Sequence, residues 1–264
     1  MPSAASGPTL ATTPPTLPEA LRSLGLRRTA GDLADFLARA TRHRWSPAVL
    51  LEELVRAEAQ DRARRSLERR LSRARLGALK PIADFEWDWP KVIDREAVER
   101  ILALGFLESA SNVILAAAQG LGKTMLAKNV AQQAVLRGYH VLCVTAADLL
   151  LDLGGQETTR TLERRLRHYV EPRLLCIDEL GYLTFDNRAA DLLFQVVSRR
   201  YERRSILLTT NLAFKDWGTI FPNAACVTAL IDRLTHHAEI ITITGESYRR
   251  REAEAAQKAR RAKP

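Results

Sequence analysis

The chain has 264 residues, enough for one α/β domain of ordinary size with a smaller helical region, and enough to bury a core without disulfide bonds. Its 40 Lys and Arg residues outnumber 31 Asp and Glu residues and give a formal net charge of +9. This charge argues against a neutral metabolic enzyme and favours a polyanionic partner, with nucleic acid as the first expectation and an acidic membrane surface as the alternative. No apolar run approaches the roughly 20 residues that a bilayer-spanning helix needs, so we expect a cytoplasmic protein without a membrane partner.

The amino-terminal part of the chain is predicted to be a tail followed by a helical domain. Residues 1–16 are rich in Pro, Ala, Ser and Thr and lack the features of a signal peptide, which predicts a flexible tail. Residues 17–83 repeat apolar side chains every three or four positions, as helices do. Ser46 and Pro47 mark the start of a longer helix. Its side chains expected to face inward are Val49, Leu50, Leu54 and Val55.

The second half of this long helix is strongly basic. Its arginines are Arg62, Arg64, Arg65, Arg69, Arg70, Arg73 and Arg75. One interpretation is a solvated helix face, partly paired with Glu58, Asp61 and Glu68. The other is a stripe that contacts phosphates or docks a partner, which the excess of arginine over acid favours. Residues 84–90 then break the helical period and are predicted to form a linker whose aromatic side chains pack onto the next domain.

The second domain is predicted to span residues 84–246, and from about residue 92 strand and helix signals alternate, as in a parallel sheet flanked by helices. The predicted strands are Asn112–Ala116, His140–Thr145, Arg173–Ile177, Ser205–Thr209 and Ile240–Ile243. The predicted helices lie around Thr124–Arg137, Thr159–Val170 and Ala189–Tyr201. Residues 247–264 are charged and rich in Ala, and they are predicted to form a tail with a frayed helix. The expected fold class is therefore α/β, preceded by a small all-α domain.

A phosphate-binding loop is predicted directly after the first strand. Its residues are Ala117, Ala118, Gln119, Gly120, Leu121, Gly122, Lys123 and Thr124, with Met125 opening the next helix. The two glycines would let backbone N–H groups turn toward phosphates, Lys123 would reach the β and γ oxygens, and Thr124 would bind Mg²⁺. Ala117 replaces the usual first glycine, which is acceptable at negative φ and bears on hydrolysis more than on nucleotide binding.

Polar side chains at two further strand ends are expected to complete this site. Asp178 and Glu179 follow an apolar strand, where Asp178 would hold the Mg²⁺ shell and Glu179 would polarise the attacking water. The alternative is an ordinary strand end capped by acids. Asn211 follows the fourth strand and is expected to lie between the other two strand ends, where it would sense the γ-phosphate or orient the water. The predicted cofactors are therefore ATP and Mg²⁺.

Three strand-end motifs in this order resemble the AAA+ superfamily of P-loop ATPases. The resemblance implies that an arginine from a neighbouring subunit completes the site, and Arg233 matches that arginine finger by its position. The alternative for Arg233 is a surface ion pair with Asp232 or Glu239. Arg249 and Arg250 are candidates for a second sensor or a phosphate contact, and the sequence does not decide between them.

A narrower resemblance, from residue 17 to residue 251, is to the IstB family. The motifs that carry it are Thr145-Ala146-Ala147-Asp148-Leu149, Asp178-Glu179-Leu180-Gly181-Tyr182, Arg199-Arg200-Tyr201-Glu202-Arg203, Thr210-Asn211-Leu212 with Trp217-Gly218, and Leu234-Thr235-His236-His237-Ala238. Members are bacterial ATP-binding helpers of a transposase. The resemblance implies a homo-oligomer, a ring or spiral on double-stranded DNA, that deforms the DNA when ATP is bound and recruits or stimulates the transposase encoded by the same insertion sequence.

The residues expected to contact DNA follow the second strand, because such loops and helix starts line the inner surface of ring or spiral AAA+ assemblies. They are Thr145, Arg160, Arg164 and Arg165. One alternative function is a DnaC-like loader of a replicative helicase that grips single-stranded DNA, although stacking aromatics are sparse. A third hypothesis is a scaffold that binds nucleotide without hydrolysis. His236 and His237 are expected to cap or pack at a helix end, without a metal site around them.

Overall fold

The structure is a computed structural model, and it describes residues 14–182, 186–221 and 224–261. Most of the predicted flexible tail, residues 1–16, lies outside these residues. The contacts within the chain define two compact units, Met1–Ser66 and Leu67–Pro264. The predicted domain limits at residues 16, 83 and 246 stay a prediction, and the two units are described one at a time.

The first unit is built from short helices. They are α1 (Leu17–Ser23), α2 (Arg27–Gly31), α3 (Leu33–Arg42) and the first part of α4 (Pro47–Ala74). Its buried residues include Phe36 and, on α4, the polar Glu58, whose carboxylate accepts the N–H of Thr29 at 2.6 Å. The expectation that Val49 and Val55 face inward is wrong, since they are 37% and 63% exposed. The apolar spacing was misleading because the buried face of α4 is centred on Glu58, and Val49 lies on the opposite side of the helix.

Part of the arginine run on α4 is paired within the helix. Asp61 accepts hydrogen bonds from Arg64 at 2.8 Å and from Arg65 at 2.7 Å, both within one turn. Such intrahelical pairs occur on solvated helix faces. Further along the helix, in the second unit, Arg70 donates to the carbonyl oxygen of Val135 at 3.2 Å. These three arginines therefore have hydrogen-bond partners within the chain.

The second unit contains a parallel sheet of five strands, which confirms the predicted α/β fold class. The strands are β1 (Asn112–Ala117), β2 (Val141–Thr145), β3 (Leu174–Leu180), β4 (Ser205–Thr210) and β5 (Ala238–Ile243), in the spatial order β2-β3-β4-β1-β5. Four of the strands begin within one residue of the predicted positions, and β5 begins two residues earlier. The buried strands β1, β3 and β4 are continuous apolar runs because helices cover both faces of the sheet.

Helices pack on both faces of the sheet. They are α5 (Arg95–Ala103), α6 (Lys123–Leu136), α7 (Ala146–Gly154), α8 (Thr159–Val170), α9 (Asn187–Arg200) and α10 (Ala224–Thr235), with 3₁₀ turns at Ile82–Asp84, Gly105–Leu107 and Phe214–Thr219. A further helix, α11 (Tyr248–Arg261), follows β5. Successive β1 residues point to opposite faces. Val113 and Leu115 join the core with α5 and α6, whereas Ile114 joins the core with α7 to α10.

The chain order of the strands creates a switch point beside β1. The chain leaves β1 for the far edge at β2, returns through β3 to β4, and then crosses to β5 on the other side. In open parallel sheets, ligands bind at the carboxyl ends of the strands next to such a switch. Among the helices of the part of the chain that the structure describes, none combines the length and the apolar character that crossing a bilayer requires.

Candidate nucleotide site

The loop between β1 and α6 adopts a backbone that presents N–H groups. Gly120 and Gly122 have φ values of 77° and 87°, in the left-handed region that favours glycine. Gly122 is also the N-cap residue of α6, which therefore begins at Lys123 with the positive end of its dipole facing the loop. Ala117 ends β1 and is not among the described residues with positive φ, so alanine fits there without strain.

Lys123 is held inside the loop. It is 6% exposed, and its Nζ donates to the carbonyl oxygens of Ala117 at 2.7 Å and Ala118 at 2.8 Å. Burial lowers the pKa of Lys123, and the negative charge of Asp178 partly opposes that shift. The ammonium is thus poorly solvated and bound only to neutral carbonyls among these contacts, which favours an incoming anion.

Asp178, at the end of β3, is bound by hydroxyl groups from two other elements. Its Oδ1 accepts the hydroxyl of Thr124 at 3.1 Å and the hydroxyl of Thr209 at 2.5 Å. Thr124 is in the first turn of α6 and Thr209 is near the end of β4. The carboxyl ends of β3 and β4 therefore converge with the start of α6 on one carboxylate.

A bulge in β3 directs Glu179 to the same site. Adjacent residues of a regular strand point to opposite faces of the sheet. Here the β3–β4 register shifts between Ile177 and Leu180, and Glu179 has a left-handed φ of 64°. The Glu179 N–H donates to the Thr209 hydroxyl at 2.9 Å, and its exposed side chain lines the same cavity as Lys123. Both carboxylates of the predicted pair thus serve one site.

Asn211 lies just beyond β4 and packs against the turn after β3. Its Oδ1 is buried without a hydrogen-bond partner in the part of the chain that the structure describes, and it leaves no room for a Cβ at Gly181. Asn211 is two residues after Thr209, so both side chains belong to the same side of the strand end. Asn211 is thus close to the turn that follows Glu179, but it does not line the cavity.

The loop, the first turn of α6 and Glu179 border a cavity of about 460 Å³. The opposite wall comes from residues before the sheet and from α11. Phe85 packs against Gly122 and Ser247 packs against Gly120, while the N–H of Tyr248 donates to the Gly120 carbonyl at 3.0 Å. The predicted aromatic anchoring of residues 84–90 is visible in Phe85, which is 8% exposed and part of the core.

Side chains from the two parts of this wall, the residues before the sheet and α11, bind one another, and we call this cluster the clasp. It consists of Glu86, Trp89, Tyr248 and Arg251. Glu86 accepts the Tyr248 hydroxyl at 2.7 Å and pairs with Arg251 at 2.8 Å, and these contacts lower the pKa of Glu86. The Arg251 guanidinium lies 4.4 Å from the Trp89 ring centroid.

The structure separates the two arginines of α11 that the sequence left undecided. Arg249 lines the cavity and is close enough to lower the pKa of Lys123 by its charge. Arg250 instead pairs with Glu254 at 3.1 Å on the exposed side of the helix. Arg249 is therefore the arginine of this pair that can contact a phosphate group.

Arg233 lies on α10 and does not line the cavity of its own chain. Its guanidinium carbon is 4.8 Å from the Phe194 ring centroid, and it donates to the Ala229 carbonyl at 3.2 Å. Glu239, one of the acids considered as its ion partner, pairs with Arg100 at 2.9 Å. Arg233 thus packs on α9 rather than forming the surface ion pair considered above.

The residues expected to contact DNA have different surroundings. Thr145 is the N-cap of α7, and its hydroxyl accepts the Asp148 N–H at 3.1 Å. Arg165 is bound to Asp152, which also accepts the Tyr169 hydroxyl. Arg160 and Arg164 are exposed on α8. Two of the four positions therefore have roles inside the fold, and two present free surface area.

Sequence reasoning missed Thr209 and did not choose Arg249. The available signal for Thr209 was its position two residues before Asn211, which places both on one side of the strand. Taken together, the donor set fits a triphosphate with Mg²⁺: N–H groups of a glycine loop at a helix start, a buried ammonium, and the hydroxyl and carboxylate oxygens of Thr124 and Asp178 that Mg²⁺ prefers.

Comparison with known proteins agrees with this site. Residues 19–256 match the family described as "IstB-like ATP binding protein". The chain is 37% identical over 213 residues to an ATP-binding protein of insertion sequence IS5376 from Geobacillus stearothermophilus, covering 81% of this chain and 85% of that protein. It is 39% identical over 202 residues to the corresponding protein of IS21 from Pseudomonas aeruginosa, covering 76% of each.

A solved structure shares the fold. The crystal structure of DnaI superposes with a TM-score of 0.52 at 20% identity, covering 65% of this chain and 90% of that chain. The phosphate loop on β1, the two carboxylates ending β3 and the polar end of β4 lie together at one edge of this sheet. Together with the match over most of the sequence, they show that this chain belongs to the IstB-like family of ATP-binding proteins.

Proposed function

We propose that this chain is an ATPase that assembles on duplex DNA and recruits or stimulates the transposase of an insertion sequence in the bacterial cytoplasm. The observation that carries the proposal is the convergence of Lys123, Thr124, Asp178 and Glu179 at the carboxyl ends of β1 and β3. The two relatives described above are ATP-binding proteins of insertion sequences, which supports the link to transposition.

In this proposal each residue has one task during ATP hydrolysis. Lys123 and the loop N–H groups would bind the phosphates, while Thr124 and Asp178 would hold Mg²⁺, which would supply positive charge to the phosphate groups. Glu179 orients the attacking water and takes up its proton. Asn211, which packs beside the turn after Glu179, is assigned to the same water or to the γ-phosphate, and its side chain must turn toward the cavity to reach either. The guanidinium of Arg249 adds positive charge from the α11 side.

In this proposal Arg233 acts in the cavity of a neighbouring subunit, which requires self-assembly. A guanidinium at the γ-phosphate stabilises the charge that spreads over the transition state. Because Arg233 is on α10, away from the cavity of its own chain, we assign it to the cavity of the next subunit in a ring or spiral. To reach that position it must leave the Phe194 ring, and the exchange of one contact for another couples assembly to catalysis.

The proposed duplex-DNA surface is an arginine stripe on α8. Arg160, Arg164 and Arg167 are exposed and follow each other at four- and three-residue steps, which places them on one side of the helix. Duplex phosphates are bound by such basic stripes without aromatic stacking. Tyr169, the aromatic side chain near the end of α8, is buried at 1% exposure, so it is not offered to unstacked bases.

Phosphate release with and without duplex DNA tests the proposal. We expect slow ATP turnover that duplex DNA stimulates, and Glu179→Gln should abolish turnover while nucleotide binding is retained. Glu99→Gln, the same change at an exposed position on α5, is the matched control. If the unchanged protein showed no more turnover than Glu179→Gln does, the result would favour a scaffold that binds nucleotide without hydrolysis. In a competition assay, a wide preference for single-stranded DNA would favour a helicase loader.

A further inference from the structure

Three side chains able to bind a transition metal converge far from the nucleotide cavity. His236 and His237 lie between α10 and β5, and Glu202 lies between α9 and β4. Both connections precede strands of a parallel sheet, so they are at the edge opposite the carboxyl ends that form the cavity. One ligand atom from each of the three residues lies within 4.8 Å of the others. This arrangement revises the expectation that the two histidines only cap or pack.

The distances require little movement for an ion to bind. Glu202 Oε1 is 3.9 Å from His236 Nδ1 and 3.7 Å from His237 Nε2. Ligand atoms bonded to Zn²⁺ at about 2.0–2.1 Å in a tetrahedron are separated by about 3.4 Å. Both distances from Glu202 therefore exceed that separation by about half an ångström or less, and all three side chains are about half exposed.

The backbone and a neighbouring hydroxyl hold two of these side chains in place. The Tyr201 hydroxyl lies 2.6 Å from His236 Nδ1, which keeps this ring beside Glu202 without an ion, and an ion bound at Nδ1 takes the place of this hydroxyl contact. Glu202 has a left-handed φ of 56° in the turn that ends α9, where glycine or asparagine is the usual residue. A glutamate there gives no conformational advantage, but it brings a carboxylate to the two imidazoles.

We propose that Glu202, His236 and His237 bind one Zn²⁺, or another borderline transition-metal ion, with water completing the coordination. Imidazole nitrogens and a carboxylate suit Zn²⁺, Ni²⁺ and Cu²⁺, whereas Mg²⁺ prefers oxygen ligands alone. The site is thus chemically distinct from the Mg²⁺ position in the cavity. The ion ties the end of α10 to the α9–β4 connection, and Arg233 is only three residues before His236.

Metal titration of the full chain tests this site. The protein is first stripped with a chelator, then titrated with Zn²⁺ by calorimetry and with Co²⁺ by visible absorption, without nucleotide and with excess Mg²⁺. We expect one equivalent to bind that Mg²⁺ does not displace. His237→Ala and Glu202→Gln should each weaken binding at least about tenfold, judged by the usual effect of disturbing a metal shell. His43→Ala, which removes an exposed histidine elsewhere, should bind as the unchanged protein does.

Two results would overturn the assignment. One is binding of the same affinity and stoichiometry by the His237→Ala and His43→Ala proteins. The other is a thiolate-to-cobalt charge-transfer band, which would locate the ion at cysteines instead. Circular dichroism of each variant verifies folding, and Glu202→Gln preserves the shape of the side chain. Zn²⁺ should also raise the Tm of the unchanged protein and not that of Glu202→Gln.

Discussion

Thr209 is the residue that joins the two carboxylates of the site. Its single hydroxyl donates to Asp178 and accepts the Glu179 N–H, so it orients one acid and supports the backbone conformation of the other. The identities of the two acids were predictable from their place after an apolar strand. The role of Thr209 was not, because it depends on the β3–β4 register and on the bulge at Glu179.

Thr209→Val removes this hydroxyl with almost no change of shape. We expect ATP hydrolysis to fall about 10- to 100-fold, as when the partner that orients a metal ligand is removed, while nucleotide binding changes little. Steady-state phosphate release and fluorescent-nucleotide binding measure the two effects separately. The exposed Thr242→Val serves as the control. Equal turnover in both variants would show that Asp178 does not need the Thr209 hydroxyl.

The lowered pKa of Lys123 predicts a pH effect on nucleotide binding. Because burial disfavours the ammonium in the nucleotide-free protein, Lys123 begins to lose its proton at a pH below the ordinary lysine pKa. A bound triphosphate favours the ammonium, so binding takes up protons, and affinity is full below the lowered pKa of Lys123 and falls as the pH rises through it. Calorimetry at alkaline pH, below the ordinary lysine pKa, in buffers of different ionisation enthalpy measures the uptake. An uptake that persists in Lys123→Met would assign it to another group.

At the scale of elements, Arg200 joins the end of α8 to the start of β4. Its guanidinium is fully buried and donates to the carbonyl oxygens of Tyr169 at 3.0 Å, Val170 at 2.9 Å and Pro172 at 2.9 Å. It also donates to the carbonyl oxygen of Ser205. Burial lowers the pKa of Arg200 to about 9, which leaves it charged at neutral pH. Carbonyls at a helix end that is turned away from water are thereby satisfied.

Replacing Arg200 should therefore destabilise the fold. Arg200→Met leaves several buried carbonyls without donors, and we expect a loss of about 3 kcal/mol or more in the free energy of unfolding. The adjacent Arg199 pairs with Glu163 on the surface at 2.6 Å, so Arg199→Met should cost less than about 1 kcal/mol. Chemical denaturation of both variants makes the comparison. Similar losses would contradict the buried role of Arg200.

The arginine stripe of α8 makes a second prediction at this scale. Arg164→Ala should weaken binding to duplex DNA and reduce the salt dependence of the binding constant by about one unit of slope, because one phosphate contact is lost. Arg250→Ala, which removes an exposed charge paired with Glu254, is the matched control. Fluorescence anisotropy over a range of salt concentrations measures both. An unchanged slope would remove Arg164 from the DNA surface.

The elements differ in how well sequence patterns predicted them. The starts of β1 to β4 were predicted within one residue, because apolar runs between polar ends are typical of strands buried on both faces. β3 was predicted to end at Ile177 and extends to Leu180, since its pairing resumes after the bulge at Glu179. α7 was not predicted as a helix because it follows β2 without a turn and has only nine residues.

At the scale of the whole molecule, the proposed ATPase is complete only between subunits. Arg233→Ala should bind nucleotide normally and lose hydrolysis, because the guanidinium acts in the neighbouring cavity. Mixing Arg233→Ala with Glu179→Gln should restore part of the turnover, since one type of interface then contains both an intact Glu179 and an intact Arg233. Phosphate release from each protein alone and from the mixture measures this. A mixture as inactive as its components would contradict the shared site.

The contact of α11 with the phosphate loop has a practical consequence for anyone handling this protein. The first turn of that helix is bonded to Gly120, and the clasp ties it to residues far earlier in the chain. An affinity tag, fluorophore or fusion partner attached at the carboxyl terminus is therefore connected to a helix whose first turn touches the loop directly. A truncation that removed Tyr248 and Arg251 would take away both the hydrogen bond to Gly120 and the clasp, so labels are better placed at the opposite terminus.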